Sequence, residues 1–294
     1  MIMQYTKKLY QVPTDHFKFK IGKTLFDFKR SPAVMAILNC TPDSFYDGGR
    51  WLKRRSLIYR IHQIKKEGAD IIDIGAESTR PGSRPVSVKE EIKRLMPAYE
   101  LCRKIAPDIP ISIDTWKSQT AKYMLKEGAD IINDISGLSF DKKMLSVLEK
   151  YKPAVILMHT PGKPSVMQKM TNYKNLILDI QTFLKKAIEK ASCCGINRII
   201  IDPGIGFGKT VEQNYEILKN IKKFNILKRP VLIGLSRKSL IGKILNIEPE
   251  KRLAPTMALN LQALLSGVSI IRVHDVLVGR WTVILYHYLK RGAK

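Results

Sequence analysis

The stretch IIIDPGIGFGKT, residues 199–210, ends an apolar run in a carboxylate, a glycine-punctuated turn and Gly-Lys-Thr. Gly-Lys-Thr is the tail of the phosphate-binding pattern G-x-x-x-x-G-K-[ST], in which backbone N–H groups wrap the phosphates. Counting back from Gly208, the first glycine of that pattern falls at position 203, which is Pro203. Proline has no N–H and a fixed φ. The dinucleotide pattern G-x-G-x-x-G fails on spacing, since the glycines here run G-x-G-x-G. The stretch therefore reads as a strand that delivers Asp202 into a tight turn, and not as a nucleotide site.

Other apolar runs end in the same way. Asn39 follows the first, Glu77-Ser78-Thr79-Arg80 the second, and Asp114 ends the third. Asn133-Asp134, His159 and Asp202 end the next three; Ser236-Arg237-Lys238 follows the seventh, and Arg272 and His274 close the last. A lone Asp or Asn at such a place is more often a helix cap, and Asp134 and Asp275 are read that way. Eight convergent polar ends suggest a site. Arg80, Lys238, Arg272, His274 and Asn39 suit a phosphate or diphosphate. Asp114, Asn133 and Asp202 suit a flat heterocycle, since carboxylates accept from ring N–H and amino groups while an amide both donates and accepts. Met158 could lie against the ring face.

The elements that would position these groups are legible as repeats. Glu67-Gly-Ala-Asp-Ile-Ile-Asp-Ile74 returns as Glu127-Gly-Ala-Asp-Ile-Ile-Asn-Asp134. Continuous apolar runs, the mark of strands covered on both faces, fall at 33–38, 71–75, 111–113, 131–133, 154–158, 198–201, 231–235 and 269–273. Helical patterns lie between them, at 56–67, 88–105, 117–127, 173–193 and 255–265. The alternation predicts an α/β TIM (β/α)8 barrel over residues 31–294, of ordinary size for that fold. Residues 1–30, with rough alternation at 4–12 and 17–28, are expected to form a short N-terminal β-hairpin that closes the barrel bottom. Two glycine-punctuated loops, 41–49 and 76–83, could act as lids that exclude water.

Composition narrows the classes. The chain has 294 residues, 45% of them hydrophobic, and a net charge of +25. No apolar run reaches the ~20 residues that span a bilayer, and the first residues lack the apolar core of a secretion signal; a cytoplasmic protein is expected. The four cysteines form no C-x-x-C pair. Lysines are spread along the chain, so nucleic acid is an unlikely partner despite the charge, which would still draw in a small anion.

Taken in order, the motifs resemble those of the dihydropteroate synthase family. They are Ile37–Phe45 (ILNCTPDSF), Glu77–Gly82 (ESTRPG), Ser112–Thr115 (SIDT), Ile131–Asp134 (IIND), Leu157–His159 (LMH), Asp202–Lys209 (DPGIGFGK), Ser236–Ser239 (SRKS) and Ile271–Asp275 (IRVHD). The resemblance implies condensation of a dihydropterin hydroxymethyl diphosphate with p-aminobenzoate, with Mg2+ on the diphosphate, in a homodimer. It further implies that Asp114, Asn133, Met158, Asp202, Lys238 and Arg272 hold the pterin. Asn39, Thr79, Arg272 and His274 would hold the diphosphate, with Asn39 as the metal ligand. Phe45, Arg80, Pro81, Phe207, Lys238 and Ser239 would meet the aminobenzoate. Asp47, Lys238, Arg272 and His274 would serve catalysis. On this reading Lys209 and Thr210 begin the next helix. Ala76, Cys40, Trp116, Thr160-Pro161 and Ala254-Pro255-Thr256 depart from the usual family pattern, and Thr160-Pro161 could reshape the pterin mouth.

Overall fold

The structure, a computed structural model, describes residues 15–40, 50–77 and 86–291. It begins with an antiparallel hairpin of β1 (Lys18–Ile21) and β2 (Thr24–Asp27). Eight parallel strands follow: β3 (Ala33–Asn39), β4 (Ile71–Gly75), β5 (Ile111–Asp114), β6 (Ile131–Asp134), β7 (Ala154–Met158), β8 (Ile199–Asp202), β9 (Leu232–Ile233) and β10 (Ile270–Val273). Their lateral order is β8-β7-β6-β5-β4-β3-β10-β9, and a parallel bridge from Ile201 to Val231 joins the two ends. The sheet thus closes as the expected barrel. The strand at 231–235 is shorter than its apolar run, because Gly234 and Leu235 already turn into the next loop.

Between and after the strands lie α1 (Arg50–Lys66), α2 (Val88–Ile105), α3 (Ser118–Lys126), α4 (Met144–Tyr151), α5 (Leu176–Cys193), α6 (Val211–Lys219), α7 (Ser239–Leu245), α8 (Leu253–Leu265) and α9 (Val276–Arg291). Ser87 and Asn175 cap α2 and α5 by accepting from the N–H groups of Glu90 and Leu178. Such caps satisfy donors that a helix cannot pair internally.

Strand alternation sorts the side chains into two cores. Val34, Ile72, Ile113, Ile132, Val155, Ile201 and Ile271 point outward under the helices. Met35, Ile71, Ile131, Ile156, Ile200, Leu232 and Ile270 point inward and fill the lower barrel. Ile21, Phe26 and Phe28 of the hairpin segment join this inner cluster, with the Phe26 and Phe28 rings stacked at 5.3 Å. The hairpin plugs the bottom, as expected, but both of its strands come from within 17–28. The run at 4–12, also assigned to the hairpin, lies outside the described residues. With the bottom plugged by hydrocarbon, polar inward positions are left to the upper end.

Candidate active site at the carboxyl ends of the barrel strands

Two residues along a strand from each inner apolar position, the next inward side chain is polar on several strands. On β4, Ile71 gives way to Asp73; on β6, Ile131 to Asn133; on β8, Ile200 to Asp202; on β10, Ile270 to Arg272. A period of two carries the same inward face upward. The polar set is therefore one layer of the barrel interior.

Arg272 is its hub. Its Nε donates to Asp73 Oδ2 at 2.6 Å and its second guanidinium nitrogen to Asp114 Oδ2 at 2.9 Å. Asn133 Nδ2 donates to the same Asp73 oxygen at 3.1 Å. Asp73 is fully buried, and among the described residues its other oxygen, Oδ1, has no partner; nor has Ser112 Oγ, the register neighbour of Asp73 on β5. The Asp114 carboxyl is raised above the usual range, first by burial and then against the pull of Arg272, with Asp73 adding repulsion. Burial likewise raises Asp202, opposed by the Lys238 cation and by the Gly204 N–H, which donates to Asp202 Oδ1 at 2.7 Å. Burial pushes Lys238 down to about 8, with Asp202 opposing.

Glycines keep the middle of the layer open. A Cβ on Gly75 would come within 3.5 Å of Asp114 Cβ and 3.9 Å of Asn39 Oδ1. A Cβ on Gly234 would come within 3.7 Å of Lys238 Nζ and 3.9 Å of Arg272 Cβ. Space is thus left among Asn39, Asp114, Lys238 and Arg272. Met158 faces inward on β7 beside Asp202 in the strand register.

At the rim, Ser236 fixes His274. The His274 backbone N–H donates to Ser236 Oγ at 3.1 Å, and the hydroxyl stands 3.0 Å from His274 Nδ1. The hydroxyl can accept from the backbone and still donate to, or accept from, Nδ1, so the pair holds the ring's orientation whichever nitrogen carries the proton. Desolvation on the inner side, then the Arg272 cation, pushes this imidazole down to about 4; the ring is exposed, so water screens part of that shift.

The β8 turn is built around a buried lysine. Lys209 does not begin a helix: Thr210 caps α6 in a capping box with Gln213, and Lys209 turns inward. Its ammonium donates to Gly204 O at 2.9 Å and Phe207 O at 2.8 Å, and lies 3.1 Å from His159 Nδ1. Burial pushes Lys209 down to about 7, with Asp202 opposing. Burial, then the Lys209 charge, pushes His159 down to about 3, so the ring is neutral and Nδ1 accepts. Gly204 has φ 74°, and a Cβ there would stand 1.9 Å from His159 O, so only glycine fits. Phe207 then sits with Lys238 Nζ 5.1 Å over its ring.

The structure thus gathers Asn39, Asp114, Asn133, Met158, Asp202, Phe207, Lys238, Arg272 and His274 at one end of the barrel. Ser239 is exposed at the first turn of α7, beside Lys238. Phe45, Asp47, Thr79, Arg80 and Pro81 lie outside the described residues. Glu77, at the border of the second loop, pairs with buried Lys117, which also donates to Glu91 at 3.1 Å. Asp134 faces outward and accepts from the backbone of Ser136 and Leu138, so it fastens the turn after β6 and does not cap the next helix as expected, α4 beginning only at Met144 after Lys143. Asp275 instead forms a two-bond pair with Arg237, at 2.7 and 2.9 Å, and so holds Arg237 in the left-handed region at φ 53°. Among the described residues no group of three His, Cys, Asp or Glu side chains could hold a metal ion. Mg2+ commonly keeps several waters and takes only one or two protein ligands plus substrate phosphates. A single amide oxygen from Asn39, next to a cationic rim, is compatible with that mode.

Asp73, Ser112 and Lys209 are buried polar groups that the sequence did not assign to the site. Asp73 and Ser112 stand inside apolar runs, and Lys209 was hidden by its place next to a helix cap.

The sequence profile described as pterin binding enzyme matches residues 35–274. A dihydropteroate synthase of Synechocystis is 44% identical over 87% of this chain and 89% of its own length. A Clostridium difficile dihydropteroate synthase solved in the presence of pteroic acid superposes with a TM-score of 0.84 at 42% identity, covering 90% of this chain and 99% of its own. The Thermus thermophilus enzyme solved with 4-aminobenzoate gives a TM-score of 0.81 at 33% identity, over 92% of this chain and 98% of its own. With these inward-facing polar residues crowning a plugged eight-stranded barrel, the chain belongs to the dihydropteroate synthase family of pterin-binding enzymes.

Proposed function

We propose that the chain condenses 6-hydroxymethyl-7,8-dihydropterin diphosphate with p-aminobenzoate, releasing pyrophosphate and forming 7,8-dihydropteroate. The observation that carries this reading is the buried polar layer of Asp114, Asn133, Asp202, Lys238 and Arg272 in a chain of this family. The pterin edge carries amino and ring N–H donors, which Asp114 and Asp202 accept, while Asn133 pairs with its oxygen and nitrogen acceptors. Met158 and Arg272 lie against the ring. The diphosphate lies toward Arg272, Asn39, Thr79 and the imidazole of His274, where cationic and donor groups stabilise charge on the departing oxygen. Mg2+, held by Asn39 on the diphosphate, would add Lewis-acid stabilisation of the leaving group. The aminobenzoate lies by Phe207, Lys238 and Ser239, with Phe45, Arg80 and Pro81 contributed by the two long loops; Asp47 faces the developing positive charge on the pterin. Loss of diphosphate leaves a cation at the pterin methylene carbon. The arylamine nitrogen forms the new bond there and loses a proton. Exclusion of water prevents hydrolysis of that cation.

The family resemblance also supports a homodimer. A soluble setting is in keeping with the absence, among the described residues, of any helix long and apolar enough to cross a membrane.

Pyrophosphate release is measured with the pterin diphosphate and Mg2+, with and without p-aminobenzoate. Release that depends on the aminobenzoate, with equal dihydropteroate, is expected. Folded protein that releases none would sink the assignment.

A further inference from the structure

The turn that carries Phe207 is held at every carbonyl. Gly204 O and Phe207 O accept from Lys209, Ile205 O accepts from Lys238 at 2.5 Å, Gly206 O accepts from Gln168 at 3.1 Å, and Gly208 O accepts from Tyr173 at 2.9 Å. The Gly206 N–H donates to Asn214 at 2.7 Å. Of these partners only Lys209 binds the turn twice and also reaches a different strand end, through His159. An ammonium has three donors and no acceptor. Gly204 O, Phe207 O and His159 Nδ1 take all three. His159 is itself wedged by the rings of Phe183 and Tyr173, with centroids at 4.9 and 5.9 Å.

We propose that Lys209 is a positioning residue for the second substrate: its ammonium ties the β8 turn to the end of β7 and thereby sets Phe207 at the aminobenzoate place. The proposal rests on the reading of that place given above. The geometry separates it from pterin binding. Asp202, the pterin carboxylate, has its own hold through the Gly204 N–H, and Lys238 is the stronger charge upon it. Losing the Lys209 bonds leaves Phe207 O without its partner, where an unpaired carbonyl is costly, while Gly204 O keeps the Phe207 N–H at 3.1 Å. The turn must then shift to reach water, and Phe207 moves with it.

The test is Lys209→Met, which keeps length and removes all three bonds. Steady-state constants are measured for both substrates, together with the thermal midpoint. The expected result is a KM for p-aminobenzoate raised tenfold or more, with the KM for the pterin diphosphate changed less than threefold. Equal increases in both constants, or no change in either, would overturn the proposal. If that variant does not fold, His159→Phe keeps the lysine and its two carbonyls and removes only the third acceptor. A rise of about threefold to tenfold in the aminobenzoate KM alone is expected there, and an unchanged value rejects the proposal. Wild-type protein that forms no dihydropteroate would instead reject the underlying functional reading, before any variant is compared.

Discussion

At the scale of single residues, the layer around Arg272 places one guanidinium between two carboxylates, Asp73 and Asp114, at 2.6 and 2.9 Å. Asp114 has its proton affinity raised by burial, and Lys238 has its own lowered to about 8 by the same cause. On the proposed reading, pterin recognition needs Asp114 ionised and Lys238 charged. Asp114 is ionised only above its raised pKa, and Lys238 is charged only below about 8. The kcat/KM for the pterin diphosphate should therefore be bell-shaped, because that ratio reports the free enzyme. The acid limb lies above the ordinary carboxylate range and the alkaline limb at about 8, both belonging to the coupled set. A flat profile from pH 5.5 to 9 would contradict this. The repeat aligns Asp73 with Asn133, but an aspartate inside Ile-Ile-Asp-Ile-Gly reads only as strand; its bonds to Arg272 and Asn133 in the barrel interior reveal it. Asp73→Asn removes a charge from a buried pair, a change that costs on the order of 3–5 kcal/mol when the partner charge is left behind. Here Asp114 retains part of Arg272, so the loss in stability should fall below that range. The KM for the pterin diphosphate should rise at least tenfold, as Arg272 and Asn133 lose their common anchor. Wild-type kinetics in that variant would remove Asp73 from the site.

At the scale of elements, the strands were readable because continuous β-branched runs need both faces covered, and their polar ends marked the catalytic face before any coordinates. Strand β9 was overestimated, since an apolar run does not reveal where Gly234 lets the chain leave the sheet. The start of α6 was readable too: Thr210 and Gln213 have the spacing of a capping box, and with that cap recognised Lys209 falls outside the helix. Helix α9 shows a different pattern. Leu277, Trp281, Ile284, Leu285 and Tyr288 are exposed, and positions i, i+4, i+7, i+8 and i+11 form one stripe. Isolated exposed apolar residues are ordinary, but a stripe on one helix fits a protein contact. Pairing of two copies through this face should be broken by Trp281→Glu. Sedimentation velocity is expected to show a dimer in the wild type and a monomer in the variant. A variant that remains dimeric would place the contact elsewhere.

At the scale of the whole molecule, charge and burial both act against the fold in acid, and they can be separated. The chain carries +25 at neutrality, and protonation of its 26 carboxylates would raise that further. Self-repulsion of this kind weakens a compact state and is screened by salt. His159 acts differently. Its folded pKa of about 3 lies below the ordinary 6.5, so the unfolded chain binds the proton first. Its contribution is whole above pH 6.5 and is lost as pH falls toward 3. By linkage the loss is about 2 kcal/mol at pH 5 and rises toward about 5 kcal/mol near pH 3. The raised pKa values of Asp114, Asp134 and Asp202 have the opposite sign, since their folded forms take up protons more readily than the unfolded chain; Asp114, raised to about 7, offsets the loss over the same pH window. Because the His159 ring is buried, salt should not restore its share. Urea unfolding from pH 7.5 to 4.5, at low and at high NaCl, should therefore show two parts: one that salt relieves and one that it does not. In the salt-resistant part the wild type should lose stability more steeply below pH 6.5 than His159→Phe does, whatever that change does to stability at pH 7.5. If at high salt the variant keeps the wild-type slope, the neutral buried His159 that holds Lys209 is not an acid-sensitive element of this barrel.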